Sequence, residues 1–112
     1  MISFERGDVV LVDLGYVAKV RPCVVISVRK ADSQRNMSVV APLTTEIRGG
    51  ECEVRFPKPR WLAEESVVNL IGLVGVDNSK IERLLGPLPT EILAAIDEVL
   101  FRLFGFKRAL DK

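Results

Sequence analysis

The sequence predicts a mainly β domain closed by a C-terminal helix. Three observations carry this: short β-branched runs separated by turn residues extend to Val76, the hydrophobic period changes after Asn78, and 112 residues suffice for one modest core. We therefore read residues 1–112 as a single domain, with a small β-barrel over about 6–77 and helices over about 79–85 and 90–104.

Asp8 to Leu14 and Pro22 to Val28 are β-branched runs joined by a polar, glycine-containing connection, and both read as strands. After a polar stretch from Arg29 to Asn36, Met37 to Leu43 forms a third, ending at Thr44-Thr45 before the turn signal Gly49-Gly50. Glu51 to Phe56 alternates like a half-exposed strand, whereas Pro57 and Pro59 forbid a regular ladder and predict an exposed loop. Ser66 to Val76 is the last β segment; Gly72 and Gly75 within it suggest bulges or a tight bend that would let a small barrel close. Ser79 to Leu85 reads as a short helix stopped by Gly86-Pro87, and Thr90 as the N-cap of the longer one. Along that helix Ile92, Ala95, Ile96, Val99, Leu100 and Leu103 recur at helical spacing and predict an amphipathic element packed on the barrel. Leu93, Phe101 and Phe104 fall partly off the stripe, either widening the core contact or forming a dimer or partner surface.

Composition narrows the function. At 48% apolar and 28% charged residues the chain is neither disordered nor a membrane protein, and charge or glycine interrupts every apolar run well before the roughly 18 residues a spanning helix needs. The first eight residues carry Glu5, Arg6 and Asp8 with no apolar region and cleavage site behind them, so no secretory signal is read and a cytoplasmic location is expected. Two distant cysteines and no histidine leave no zinc-type ligand set; no metal and no cofactor are expected. Without histidine, chemistry near neutral pH must use other groups. The net charge of +1 excludes bulk attraction to nucleic acid, but it hides a gradient. Residues 1–60 hold ten Lys/Arg against seven Asp/Glu, +3, and residues 61–112 hold six against eight, −2.

Arg21 stands at the mouth of a strand beside Pro22, where a permanently charged planar fork suits the extra charge of a phosphoryl transition state. On this dipeptide alone a plain surface arginine is the simpler reading. Thr44 ends an apolar run, and its hydroxyl could bond a phosphate or a 2′-hydroxyl. Arg48 in the following loop could add a phosphate contact or be simply solvated. The stretch Arg55 to Trp61, with Lys58, mixes cations and aromatic rings as single-strand binders do, although Phe56 and Trp61 read more simply as core anchors. Asp8, Asp13 and Asp77, at strand ends, read most simply as turn caps.

Taken in order, Arg6 to Leu14, Arg21 to Ile26, Val40 to Thr44, Ser66 to Val68, Val76-Asp77 and Leu85 to Pro89 resemble the MazF/PemK family of toxin endoribonucleases over nearly the whole chain. The resemblance implies an SH3-like barrel of the kind shared with the gyrase poison CcdB, and a homodimer. It also implies metal-independent cleavage of single-stranded RNA to 2′,3′-cyclic phosphate and 5′-hydroxyl ends. By position Arg21 and Thr44 match the family's catalytic arginine and threonine, and Lys19, Thr45, Arg48, Arg55 and Lys58 are the expected RNA contacts. The implied partner is a cognate MazE-like antitoxin with an acidic, partly disordered tail, suited to the basic first half.

Two departures from the family pattern stand out. The first loop is short, Gly15 to Val20, and Ile71 to Gly75 replaces polar residues that many relatives carry. The alternative is therefore a non-catalytic binder of the same fold, either a gyrase poison or a degenerate homologue that titrates antitoxin.

Overall fold

Asp8–Asp13 (β1) and Val20–Val25 (β2) pair antiparallel, Val9 opposite Val24 and Val12 opposite Arg21, in a computed structural model that describes residues 2–15 and 20–108. Met37–Thr44 (β3) continues the sheet beyond β2. Its far side is shared by two short strands: Val67–Asn69 (β5) beside its last residues and Val74–Asp77 (β6) beside its first. Glu53–Arg55 (β4) pairs with β5, and Ile81–Pro87 (β7) pairs with the outer edge of β1. The hydrogen-bonded order is β4-β5-β3-β2-β1-β7, with β6 on β3. The sheet thus curls like a small barrel, but it is not closed, since no ladder joins β4 to β7.

The helix read over 79–85 is instead a strand. Only Asn78–Lys80 forms a 3₁₀ turn, and Ile81 onward runs along β1 as β7. Two register shifts between β1 and β7 break the two-residue alternation, so Ile81, Leu84 and Leu85 fall at a spacing that imitates a helix. Pairing with β1 satisfies the backbone groups of an otherwise exposed edge. The segment read as one strand from Ser66 to Val76 is two, bent at a 3₁₀ turn over Leu70–Gly72, where the glycine lets the chain pass Pro42: a Cβ there would lie 2.9 Å from the proline Cγ.

Thr90–Leu103 (α1) is the helix expected, but Pro89 occupies the cap position and Thr90 is its first residue, with no side-chain cap bond. The fixed φ of proline sets up the first turn, and Ile92 and Leu93 both donate to the Pro89 carbonyl. Glu91 at the start and Arg102 at the end complement the helix dipole. Arg102 also donates through Nη2 to the Glu51 carbonyl, tying the last turn to the loop before β4.

Alternation along the strands sends side chains to two cores. Val9, Val24, Ala41, Leu43 and Val68 join the cluster that α1 covers through Ile96, its one fully buried residue. Val10, Val12, Cys23, Val25 and Val40 point to the opposite face and meet Val76 and Ile81. At roughly 1.5–3 kcal/mol for each fully buried aliphatic side chain, the two clusters hold the curl from both sides. Ala95, read as part of the helix's apolar stripe, is exposed, as is Phe104, while Leu93 and Phe101 are half-buried.

The segment Arg6-Gly7-Asp8 locks α1 to the sheet. Arg6 donates through Nε to the Ile26 carbonyl at 2.7 Å and pairs through Nη2 with Asp97 on α1. Gly7, at φ +95°, donates to Val25 and accepts from Leu88, and a Cβ on it would lie 2.7 Å from Leu93 Cδ1. Backbone conformation and close approach both demand glycine here.

Candidate active site

The β2–β3 ladder sets Cys23 opposite Pro42, Val24 opposite Ala41 and Val25 opposite Val40. The same register carried two residues further brings Arg21 opposite Thr44, on the face that holds Cys23, Val25 and Val40. The second core ends there, and the sheet opens into a groove of about 540 Å³ lined by both residues. Its other polar members are Asp13, Asn69, Asp77 and Lys80. Sequence reasoning took Asp13 and Asp77 for turn caps and did not find Asn69 or Lys80; only the fold brings β1, β5 and the turn after β6 to one place.

The polar groups are held by local geometry. Thr44 Oγ1 accepts from the Glu46 backbone N–H at 3.0 Å, which orients the hydroxyl and leaves its own proton free to donate. Asp13 and Asp77 do cap turns, accepting from Gly15 N and Ser79 N at 2.9 Å, and each keeps carboxylate capacity for the groove. Hydrogen bonds from the backbone and hydroxyl of Ser79, aided by the Lys80 charge, hold the Asp77 carboxyl below the usual carboxylate range. Arg21 is exposed, and among the described residues no carboxylate pairs with its guanidinium. An unpaired fork and an oriented hydroxyl thus line one open cleft, donors of the kind that a phosphate group accepts from.

Pro42, Gly72, Val74, Gly75 and Val76 are among the groove's apolar lining, so Gly72, Val74 and Gly75 of the Ile71 to Gly75 segment do present an apolar surface to the cleft. Thr44 and Asn69 also border a second groove of about 550 Å³, which runs past Ile71 to Arg48 and Arg102.

The other expected RNA contacts are dispersed. Arg48 lines that second groove, but its guanidinium is bound to Glu46, which holds it still more firmly protonated. Thr45 is exposed beyond β3 and borders neither groove. Arg55 is exposed on β4, and Lys58 donates to the Leu62 carbonyl at 2.8 Å; neither lines the Arg21 groove. Lys19 lies outside the described residues. Phe56 is buried and Trp61 packs on the first core, so both rings are anchors rather than stacking platforms.

Elsewhere, Cys23 and Cys52 are both free thiols. Among the described residues no three His, Cys, Asp or Glu side chains converge, and no helix is long and apolar enough to cross a membrane.

Comparison with known proteins places this architecture. The chain is similar to MazF in a MazE–MazF crystal structure from Deinococcus radiodurans, at 22% identity and a TM-score of 0.81, covering 96% of this chain and 100% of that one. It is similar to a mycobacterial endoribonuclease in complex with its cognate antitoxin, at 22% identity and a TM-score of 0.81, over 95% and 99% of the two chains. The Mycobacterium tuberculosis toxin MazF-mt6 gives 23% identity and a TM-score of 0.78, over 90% and 99%. At such identities the likeness is one of fold. No curated relative matches the chain. The sequence profile described as the PemK-like, MazF-like toxin of type II toxin–antitoxin systems matches residues 5–104, and the chain belongs to that family.

Proposed function

We propose that this toxin-family protein is an endoribonuclease that cleaves single-stranded RNA without a metal ion and acts in the cytoplasm as a homodimer until a cognate MazE-like antitoxin covers its groove. The observation that carries this reading is the convergence of Arg21 and Thr44, from adjacent strands, on one open cleft. In the reaction the ribose 2′-oxygen attacks the adjacent phosphorus and loses its proton to a base. The bond from phosphorus to the 5′-oxygen breaks, and that oxygen takes up a proton. The products are a 2′,3′-cyclic phosphate and a 5′-hydroxyl.

Arg21 supplies its fork to the non-bridging oxygens of the pentacoordinate phosphate, where developing charge rewards a preorganised cation most. Thr44, its oxygen fixed by Glu46 N, donates its proton to the phosphate or orients the nucleophile. Arginine is too basic to take the 2′-proton readily near neutral pH. The groove's two carboxylates, Asp13 and Asp77, are the groups whose Asn variants test for the base.

The mycobacterial endoribonuclease of the same fold, solved with its cognate antitoxin, supports both the reaction class and the partner class. Digestion of a long, weakly structured RNA in EDTA, with ends mapped and Arg21→Ala alongside, tests the reading. Cuts at a recurring short sequence, with 5′-hydroxyl ends and lost in the variant, are expected. A variant that cuts as fast as the parent overturns the assignment of Arg21.

The apolar wall of Gly72, Val74 and Gly75 favours a second reading, a non-catalytic binder that titrates antitoxin or poisons gyrase. Intact RNA across many sequences, together with inhibition in a gyrase supercoiling assay or tight antitoxin binding, would establish it instead.

A further inference from the structure

The 3₁₀ turn Asn78–Lys80 is a ridge with a different cavity on each side. Asp77 and Lys80 line the Arg21–Thr44 groove, whereas Asn78, Ser79 and Ile81 line a separate cavity of about 310 Å³. That cavity also takes in Arg29, Lys30 and Asn36, with Phe4 in its wall, and among the described residues no acidic one lines it. Among the described residues neither Arg29 nor Lys30 is in an ion pair, and both are exposed.

Its amide lining is fixed in orientation. Ser38 Oγ donates to Asn78 Oδ1 at 2.6 Å, and Asn78 Nδ2 donates in turn to Asn36 Oδ1 at 3.0 Å. The relay engages the Asn36 side-chain oxygen and leaves its Nδ2 as a donor among the groups that line the cavity. An adjoining cleft shares Lys30, Asn36 and Asn78 and adds Arg35; its one carboxylate, Asp32, accepts from Gln34 N in its own turn. Two guanidinium groups and one ammonium group therefore border one surface whose one carboxylate is engaged in its own turn.

We infer that this surface is a second phosphate-binding site, which holds the backbone of the same RNA strand after it crosses the Asp77–Lys80 ridge from the cleavage groove. The inference rests on the ribonuclease reading above. Three cations beside one carboxylate that is engaged in its own turn select an anion. An acidic peptide fits less well, because the apolar members of the main cavity's wall are half-buried, as Phe4, or buried, as Ile81, which leaves Met37 of the adjoining cleft as the exposed apolar contact. Phosphate contacts of this kind add affinity and register without reading sequence.

The test compares the parent protein with Arg29→Ala/Lys30→Ala on two RNAs: a short oligoribonucleotide that just spans a mapped cleavage site, and the same site extended well beyond it on both sides. The extended RNA should show KM raised roughly tenfold in the double variant with kcat unchanged, and the short one should be cut as the parent cuts it, which also shows that the variant folds. With a non-cleavable analogue carrying a 2′-deoxyribose at the cut, the slope of log affinity against log salt should become shallower by about 1.4, two contacts at about 0.7 each. Unchanged KM and slope on the extended RNA overturn the site while leaving the ribonuclease reading intact. Unchanged RNA kinetics with weakened antitoxin binding also overturn it and assign the surface to an acidic protein segment. A parent that neither cuts nor binds any RNA removes both the reading and this inference.

Discussion

Thr44 faces Arg21 across the β2–β3 ladder, two register steps beyond the last bridged pair, at the point where Pro22 has no N–H to continue the ladder. The end of the pairing and the opening of the cleft share this cause. The hydroxyl and the guanidinium are thus held on strands rather than on mobile loops, as a preorganised site requires.

This pairing sets the first prediction. Thr44→Val keeps the shape of the side chain and removes only the hydroxyl, so the rate of the cleavage step should fall by roughly 100- to 1000-fold, as when one oxyanion donor is lost. Thr44→Ser should stay within about tenfold of the parent. Arg21→Lys should remain deeply impaired, because a point charge does not replace a bidentate fork. Single-turnover cleavage measures all three, and full activity in Thr44→Val would remove Thr44 from the mechanism.

Much of this was legible in the sequence. The β-branched runs beside Arg21 and Thr44 fixed the strands that carry them, but their roles were suggested by the family resemblance, since on the residues alone a plain surface arginine is the simpler reading. Val74 and Gly75 were legible as an apolar interruption, and they do form the wall. Asn69 and Lys80 were not, because each belongs to a segment whose neighbours are set by distant pairing: β5 beside the end of β3, and the turn that follows β6. The same long-range pairing hid β7, whose bulges erased the period that would have marked it. Arg55 and Lys58 illustrate the converse, since basic composition suggested RNA contact but β4 and the loop behind it lie away from the groove.

The second prediction concerns Gly86 on β7. A Cβ there would lie 2.4 Å from Trp61 Nε1 and 2.6 Å from Cε2, so the indole must move if the glycine gains a side chain. Gly86→Ala should destabilise the protein by about 1–3 kcal/mol, the usual range for overpacking, with a shift in tryptophan fluorescence because Trp61 is the one tryptophan. Urea unfolding followed by that fluorescence reads both effects. An unchanged midpoint would show that the indole can swing aside at no cost.

Arg6 and Asp97 supply the third. The Asp97 side chain is 56% exposed, so Asp97→Asn should cost less than about 1 kcal/mol and less still at high salt. Arg6→Met should cost more, about 1–2 kcal/mol, because it also abandons the part-buried Ile26 carbonyl that Nε serves. Denaturant midpoints at low and high salt separate the two. Equal losses in both variants would mean that the ion pair, not the carbonyl bond, fastens α1.

Cys23 provides the last prediction, which has a sign that can be worked out. Burial in the second core pushes its thiol up to about 12 from an ordinary 9.0, against the opposing pull of the Arg21 charge. The folded state therefore keeps the proton after the unfolded chain has lost it. Stability due to this thiol is fully present below about pH 9 and declines as pH rises toward 12. Between those limits the parent should lose stability faster than Cys23→Ala, by up to about 1.4 kcal/mol per pH unit. A thiol-specific reagent should modify half-buried Cys52 first and reach Cys23 only at the rate of unfolding. Equal pH slopes in the two proteins, or prompt modification of both thiols, would mean that the second core admits solvent beside the groove; Arg21 would then act in a wetter and less effective field than its place beyond Cys23 implies.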